Sequence, residues 1–199
     1  MKERPILFSG PMVRAILAGR KTQTRRICKK AWWDEFTWAG DVYPARESGW
    51  IAWWPKGDAE FTKRAYLDGF LCPYGQPGDR LWVRETWLLV DDMNGSQQVH
   101  YRADNEDIPG SWKPSLFMPR WASRISLEIT GVRVERLQGI TEEDAQKEGV
   151  EIDGHYSMFY KTAFKKLWDS INGKKHPWES NPWVWCIEFK REKCPKPSA

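Results

Sequence analysis

From Pro5 to Ser9 the chain is briefly apolar, enough for a first strand or an extended lead-in, and then its period changes. Met12, Val13, Ile16 and Leu17 fall at spacings that line one helix face, Pro11 suits the first helical position, and Gly19 reads as the residue that ends the helix. Thr22 and Thr24 favour extended structure directly afterwards. Beyond the Gly78-Asp79 turn, Leu81, Val83 and then Trp87 alternate with Arg80, Trp82, Arg84 and Glu85 as in a half-buried strand, and Gln98 to Arg102 predicts another. Arg124 to Leu137 carries the clearest strand pattern. Ile125, Leu127 and Ile129 alternate, and Val132 and Val134 resume one residue out of phase around Gly131, which predicts a bulge of the kind that bends sheets into barrels.

The last third of the chain reads as helix, helix, strand. Thr141 is placed to cap a short helix with Glu142, Glu143 and Asp144 in its first turn, and Gly149 to end it. Phe164, Leu167, Trp168 and Ile171 share one face of a second helix over Phe159 to Ile171, with lysines opposite and Gly173 as its stop. Trp183, Trp185, Ile187 and Phe189 alternate as a closing strand before a frayed tail from Pro195 to Ala199.

Cys28 to Gln76 has no lasting period and holds Trp32, Trp33, Trp38, Trp50, Trp53 and Trp54; it reads as an insertion packed over a single domain of 199 residues, placed to serve as a lid. Fourteen tryptophans point to an aromatic core, a flat aromatic ligand, or both, and cores are the commoner use. A net charge of only +4 permits an anionic ligand without resembling the basic stripe of a dedicated duplex binder. The four cysteines lack Cys-x-x-Cys spacing, so neither a structural zinc site nor a disulfide framework is indicated, and no metal or other cofactor is expected. There is no signal-peptide pattern at the N-terminus and no apolar run of membrane-spanning length, so the expectation is a cytoplasmic monomer that does not engage a membrane.

The candidate chemistry sits in Gly19-Arg20-Lys21-Thr22-Gln23-Thr24-Arg25-Arg26. Like charge from three arginines disfavours an ammonium at Lys21, a neutral lysine is a base, and a base near a hydroxyl can make it a nucleophile. Thr24 is that hydroxyl. Residues three apart point to opposite faces of a regular strand, so the pair meets only if the chain bends between them. The same run also suits a solvated basic surface or a phosphate contact. Glu148, in the last turn of the short acidic helix, faces the negative end of the helix dipole, which favours its protonated form and a role as general acid; an exposed helix glutamate is the plainer reading. Arg84 or Glu85 can line a polar cavity, and Arg120 beside Trp121 can contact a base or a phosphate; surface pairing and stacking are the commoner fates of such residues.

Helix, Gly-x-Lys-x-x-Thr-x-Arg, Gly-Asp turn and strand, long bent strand, short acidic helix and closing strand together resemble the ASCH family over Pro5 to Arg26, Pro77 to Trp87, Leu116 to Val150 and Phe164 to Phe189. The resemblance implies an α+β fold, a PUA-like small mixed β-barrel flanked by helices, with Trp-rich insertions at about 28–76 and 88–115 in one domain spanning 1–199. The family's small members include bacterial N4-acetylcytidine amidohydrolases. Carried over, the resemblance makes Lys21 the proton acceptor, Thr24 the nucleophile and Glu148 the proton donor, with Glu142 and Glu143 as fallbacks, and leaves Arg26, Arg84, Glu85, Arg120 and Trp121 as candidates for holding substrate. The implied partner is a small modified nucleoside or nucleobase. Other members are read as RNA binders or ribonucleases, and that alternative stays open because fold alone does not decide function.

Overall fold

A computed structural model of the chain describes residues 1–28, 72–91, 94–105, 107, 109–152 and 159–192. The six tryptophans of the first insertion, Cys194 and the C-terminal tail lie outside these residues.

The architecture is α+β. Five strands form one sheet in the order β1 (Glu3–Leu7), β3 (Arg80–Arg84), β6 (Ser126–Arg136), β7 (Trp183–Arg191) and β2 (Gln23–Ile27); β1 and β3 are parallel and the other neighbours antiparallel. β4 (Trp87–Asp91) and β5 (Gln97–Tyr101) make a separate two-stranded sheet. The alternation read through Leu81 to Trp87 is therefore broken at Glu85 and Thr86, where the chain leaves one sheet for the other. In β6 the register shifts between Ile129 and Gly131, the bulge that the phase slip at glycine announces.

Among the described residues three α-helices pack on this frame: α1 (Gly10–Leu17), α2 (Glu142–Lys147) and α3 (Tyr160–Asn172). Pro11 sits in the first turn of α1, Gly19 takes a left-handed φ of 73° just past it, and the Thr141 hydroxyl accepts the Asp144 N–H to cap α2. One sheet face buries Ile6, Leu81, Val83, Ile129, Trp185, Ile187 and Phe189 with Val13 and Ile16 of α1. On the other face Leu137, Ala145, Phe164, Trp168, Trp178 and Val184 form a smaller core under α2 and α3. Six of the described tryptophans, Trp82, Trp87, Trp168, Trp178, Trp183 and Trp185, are buried, so packing is their main use.

The expected barrel is not closed by strand pairing among the described residues. β1 and β2 are the two edges of the sheet, and the group that spans them is the Arg26 guanidinium, which donates a 2.5 Å hydrogen bond to the Leu7 carbonyl. No described helix is long and apolar enough to cross a membrane.

Candidate active site

The end of α1 turns back on itself before β2 begins. The N–H groups of Arg20 and Lys21 both donate to the Ala15 carbonyl, and the Thr22 N–H donates to the Lys147 carbonyl of α2. The turn falls before Lys21 and does not bring its amine onto the Thr24 hydroxyl. It ties the motif to the C-terminal end of the acidic helix, a residue separation of more than a hundred positions.

Lys21 is consequently buried, with 2% of its surface exposed. Its Nζ donates to the Gln23 carbonyl at 2.8 Å, to the Glu148 carbonyl at 2.8 Å and to Glu148 Oε2 at 2.7 Å. Three donated bonds use all three protons of an ammonium. The sequence expectation of a lysine neutralised by neighbouring arginines is therefore corrected in two respects. The amine is held as one half of a buried ion pair, and the main influence pulling its pKa down is burial; Glu148 opposes that pull, and Arg26 and Arg25 add smaller pushes in the same direction as burial. None of the three bonds goes to Thr24.

Glu148 caps the C-terminus of α2 and is 3% exposed. Its second oxygen, Oε1, accepts from Arg25 Nη1 at 3.1 Å, so two cations share one carboxylate. Behind them stands a charged network that the motif alone does not reveal. Arg25 also reaches Glu135, Asp144 and the side chain of the fully buried Gln23, while Arg133 bonds Glu135, Asp144 and Glu188. The register explains the grouping: Arg25, Cys186 and Arg133 stand in one row across β2, β7 and β6, on the face that α2 covers. Burial alone would raise the Asp144 pKa, but Arg133 and Arg25 hold it below the ordinary carboxyl range. One visible signal for this network is the alternation of Arg133 and Glu135 with Val132 and Val134, which makes the second face of β6 charged.

Thr24 and Glu148 line a common cleft of about 470 Å³ with Arg25 and Arg26. Its walls are the edge strand β2, the corner between β1 and α1 (Leu7, Phe8, Met12), Tyr74, and the Phe164, Leu167, Trp168 and Ile171 face of α3. The volume lies in the ordinary range for small-ligand sites and the lining is mainly apolar and aromatic with a few convergent polar groups. Thr24 is 3% exposed, and its hydroxyl makes no hydrogen bond among the described residues. Phe8 is also approached by two cations, Lys21 Nζ at 5.7 Å and Arg26 Cζ at 5.1 Å from its centroid. Among the described residues no three His, Cys, Asp or Glu side chains are grouped so as to hold a metal ion.

The other sequence candidates divide. Arg26 belongs to the cleft. Arg84, opposite Leu7 in the β1–β3 register, does not line the cleft and lies over the Trp82 ring. Glu85 does not face the cleft: it is buried and gripped through both oxygens by Arg124 at 2.9 and 3.0 Å, with burial raising its pKa and Arg124 opposing. Arg120 is bound to Glu3 through two hydrogen bonds, and Trp121 is exposed with its edge against Trp87. Neither lines the cleft. Phe164, Trp168 and Tyr74 are cleft residues that sequence reasoning assigned to packing or left unassigned.

No protein-family model and no curated protein matches the sequence. Among solved structures the chain is similar to the ASCH domain from Lactobacillus crispatus, 14% identical with a TM-score of 0.44 over 96% of this chain and 79% of that one. It is also similar to a DUF984 protein from Enterococcus faecalis, 10% identical with a TM-score of 0.42 over 100% of this chain and 85% of that one. Such likenesses concern the course of the backbone, and the chemistry rests on this chain's own side chains.

Proposed function

We propose that the protein is an amidohydrolase that removes the acyl group from the exocyclic N4 of an N4-acylcytosine or N4-acylcytidine. The observation that carries the reading is the convergence of three residues: the Thr24 hydroxyl, without a hydrogen-bond partner among the described residues, and the Glu148 carboxyl line one cleft, and Glu148 holds Lys21 at 2.7 Å.

The Lys21–Glu148 pair supplies both proton roles. Transfer of one proton along the 2.7 Å hydrogen bond turns the ion pair into a neutral amine and a neutral acid, and burial, which disfavours charge, lowers the cost of that exchange. Thr24 Oγ attacks the acyl carbon as its proton passes to Lys21; the C–N bond then breaks as the acid at Glu148 protonates N4, leaving an acyl-threonine. Water, giving up a proton to the same pair, releases the carboxylic acid and restores the hydroxyl. The leaving group favours this route because an aminopyrimidine spreads developing charge into its ring. Phe8, Phe164 and Trp168 offer the flat apolar surface that a pyrimidine needs.

The test is turnover of N4-acetylcytidine to cytidine by the wild-type protein, Lys21→Ala and Thr24→Ala. Release by wild type and loss in both folded variants is expected; unaltered turnover in either variant refutes the assignment.

A second reading, RNA binding, is favoured by a different surface. Phe117 and Trp121 are 69% and 66% exposed, and Arg120 and Arg84 both approach the Trp82 ring. Oligonucleotide binding that weakens steeply with salt would be its signature.

A further inference from the structure

Among the described residues Arg26 makes no ion pair, although Glu148 shares its cleft and acts on it from a distance. Arg25 next to it reaches three carboxylates, whereas Arg26 has none among the described residues: one hydrogen bond goes to the Leu7 carbonyl, its face lies over Phe8, and its Nε is shut off from solvent with no partner. A half-buried guanidinium whose Nε is shut off from water carries a desolvation cost that an anion would offset. Arg84 is in the same condition nearby. It has no carboxylate partner among the described residues, its Nε is likewise buried and unpartnered, and its Nη1 donates to the Leu116 carbonyl at 3.2 Å. Leu7, which accepts from Arg26, is the β1–β3 register partner of Arg84, but the Arg84 guanidinium lies over the Trp82 ring and does not line the cleft. Ser115, adjacent to Leu116, and Thr86 put hydroxyl-bearing side chains on the cleft wall.

We propose that the ligand of this cleft carries an oxyanion group, a phosphate or a carboxylate, seated by Arg26 in the part of the cleft that Thr86 and Ser115 also line. Arginine's planar fork matches both groups. The substrate class is thereby narrowed to a nucleotide rather than a nucleoside, or to an acyl group that ends in a carboxylate. Thr24 and Arg26 point to the same face of β2 two residues apart, roughly 7 Å along the strand, so the reacting amide and the anion occupy different ends of one molecule. This assignment rests on reading the cleft as an acylcytosine site, and its test separates the two.

Binding is measured by calorimetry in the Thr24→Ala background, which holds substrate without turnover, for two pairs of ligands: cytidine against cytidine 5′-monophosphate, and N4-acetylcytidine against N4-succinylcytidine. In at least one pair the anionic member is expected to bind roughly tenfold or more tightly. That advantage is expected to collapse in Arg26→Gln, to survive in Arg84→Gln and to return in part in Arg26→Lys. The pair that shows it identifies phosphate or carboxylate as the group recognised. No advantage in either pair, or an advantage that survives Arg26→Gln, overturns the proposal. Acetyl release by the wild-type protein without an anion preference sinks this inference alone. An Arg26-dependent anion preference without acyl release sinks the amidohydrolase reading and leaves the anion site standing.

Discussion

Gly149 lies against Lys21 so closely that a methyl group placed on it would stand 2.7 Å from the Lys21 Cβ and 2.9 Å from the Ala15 Cβ. It also has a left-handed φ of 78°, which side-chain-bearing residues rarely adopt. The residue that ends the acidic helix is thus also the surface on which the candidate base rests. Gly149→Ala is expected to cost roughly 1–3 kcal/mol from overpacking, with a further ~1–2 kcal/mol from the backbone. Because the methyl pushes on Lys21, turnover should fall along with the melting temperature. Thermal unfolding and acyl release measured on the same sample check both, and an unshifted Tm would show that the contact is not tight.

The two partners of the buried pair should not be equivalent. Lys21→Met leaves Glu148 with Arg25 at 3.1 Å, whereas Glu148→Gln leaves Lys21 with carbonyl oxygens only. Glu148→Gln is therefore expected to be the more destabilising at neutral pH. Its cost has a ceiling of roughly 5 kcal/mol, the price of binding that lysine neutral at pH 7. Denaturant unfolding of both single variants and of Lys21→Met/Glu148→Gln gives the order and the coupling.

Thr24→Val keeps the shape of the side chain and removes a hydroxyl that has no partner among the described residues. A stability change within about 1 kcal/mol is expected, since no hydrogen bond is lost. Acyl release should vanish, and Thr24→Ser should retain part of it. Full activity in Thr24→Val would mean that water, not threonine, attacks.

Burial holds the Lys21 pKa below the ordinary lysine value of 10.5, against the pull of Glu148. The pair works with one shared proton, which lets Lys21 act as base and Glu148 as acid, so kcat/KM should fall as pH rises through that lowered value and the proton is lost. The stability linkage has the opposite sign. Between the folded and unfolded pKa the unfolded chain binds the extra proton, so stability rises with pH there, and the penalty is fully present below that window. Lys21→Met should remove this part of the pH–stability profile, and pH–rate measurements on the wild-type protein check the fall in activity.

Glu85 is expected to matter for folding and not for chemistry. It is 2% exposed and bound through both oxygens to Arg124, which in turn holds Asp104 and lies 3.9 Å from the Tyr101 ring centroid. Glu85→Ala strands that guanidinium and should cost about 3–5 kcal/mol. Folded Glu85→Ala should still turn over N4-acetylcytidine with an unaltered pH profile; a displaced profile would put Glu85 back in the site.

Much of the frame is legible in the chain because local periodicity reports burial. Gly131 slips the phase of β6 and bulges it; Thr141 caps α2; Trp183, Trp185, Ile187 and Phe189 alternate and enter one core. The break after Arg84 was not legible, because Glu85 and Trp87 keep the alternation while the chain changes sheets. Arg120 beside Trp121 looked like a recognition pair, yet adjacent residues on a short helical turn diverge, and Glu3, distant in sequence, claims the arginine.

Sequence by itself determined which residue types are present for the chemistry: an amine and a hydroxyl three positions apart after a helix, and a carboxylate in a short acidic helix far downstream. Only the tertiary structure decided that the carboxylate takes the amine rather than the hydroxyl doing so, and that among the described residues Arg25 forms ion pairs while Arg26 forms none. The physical reason is that charge state and hydrogen bonding in a buried site depend on which distant groups exclude water from it, and pairing across β2, β7 and β6 under α2 is set by packing, which no local pattern encodes.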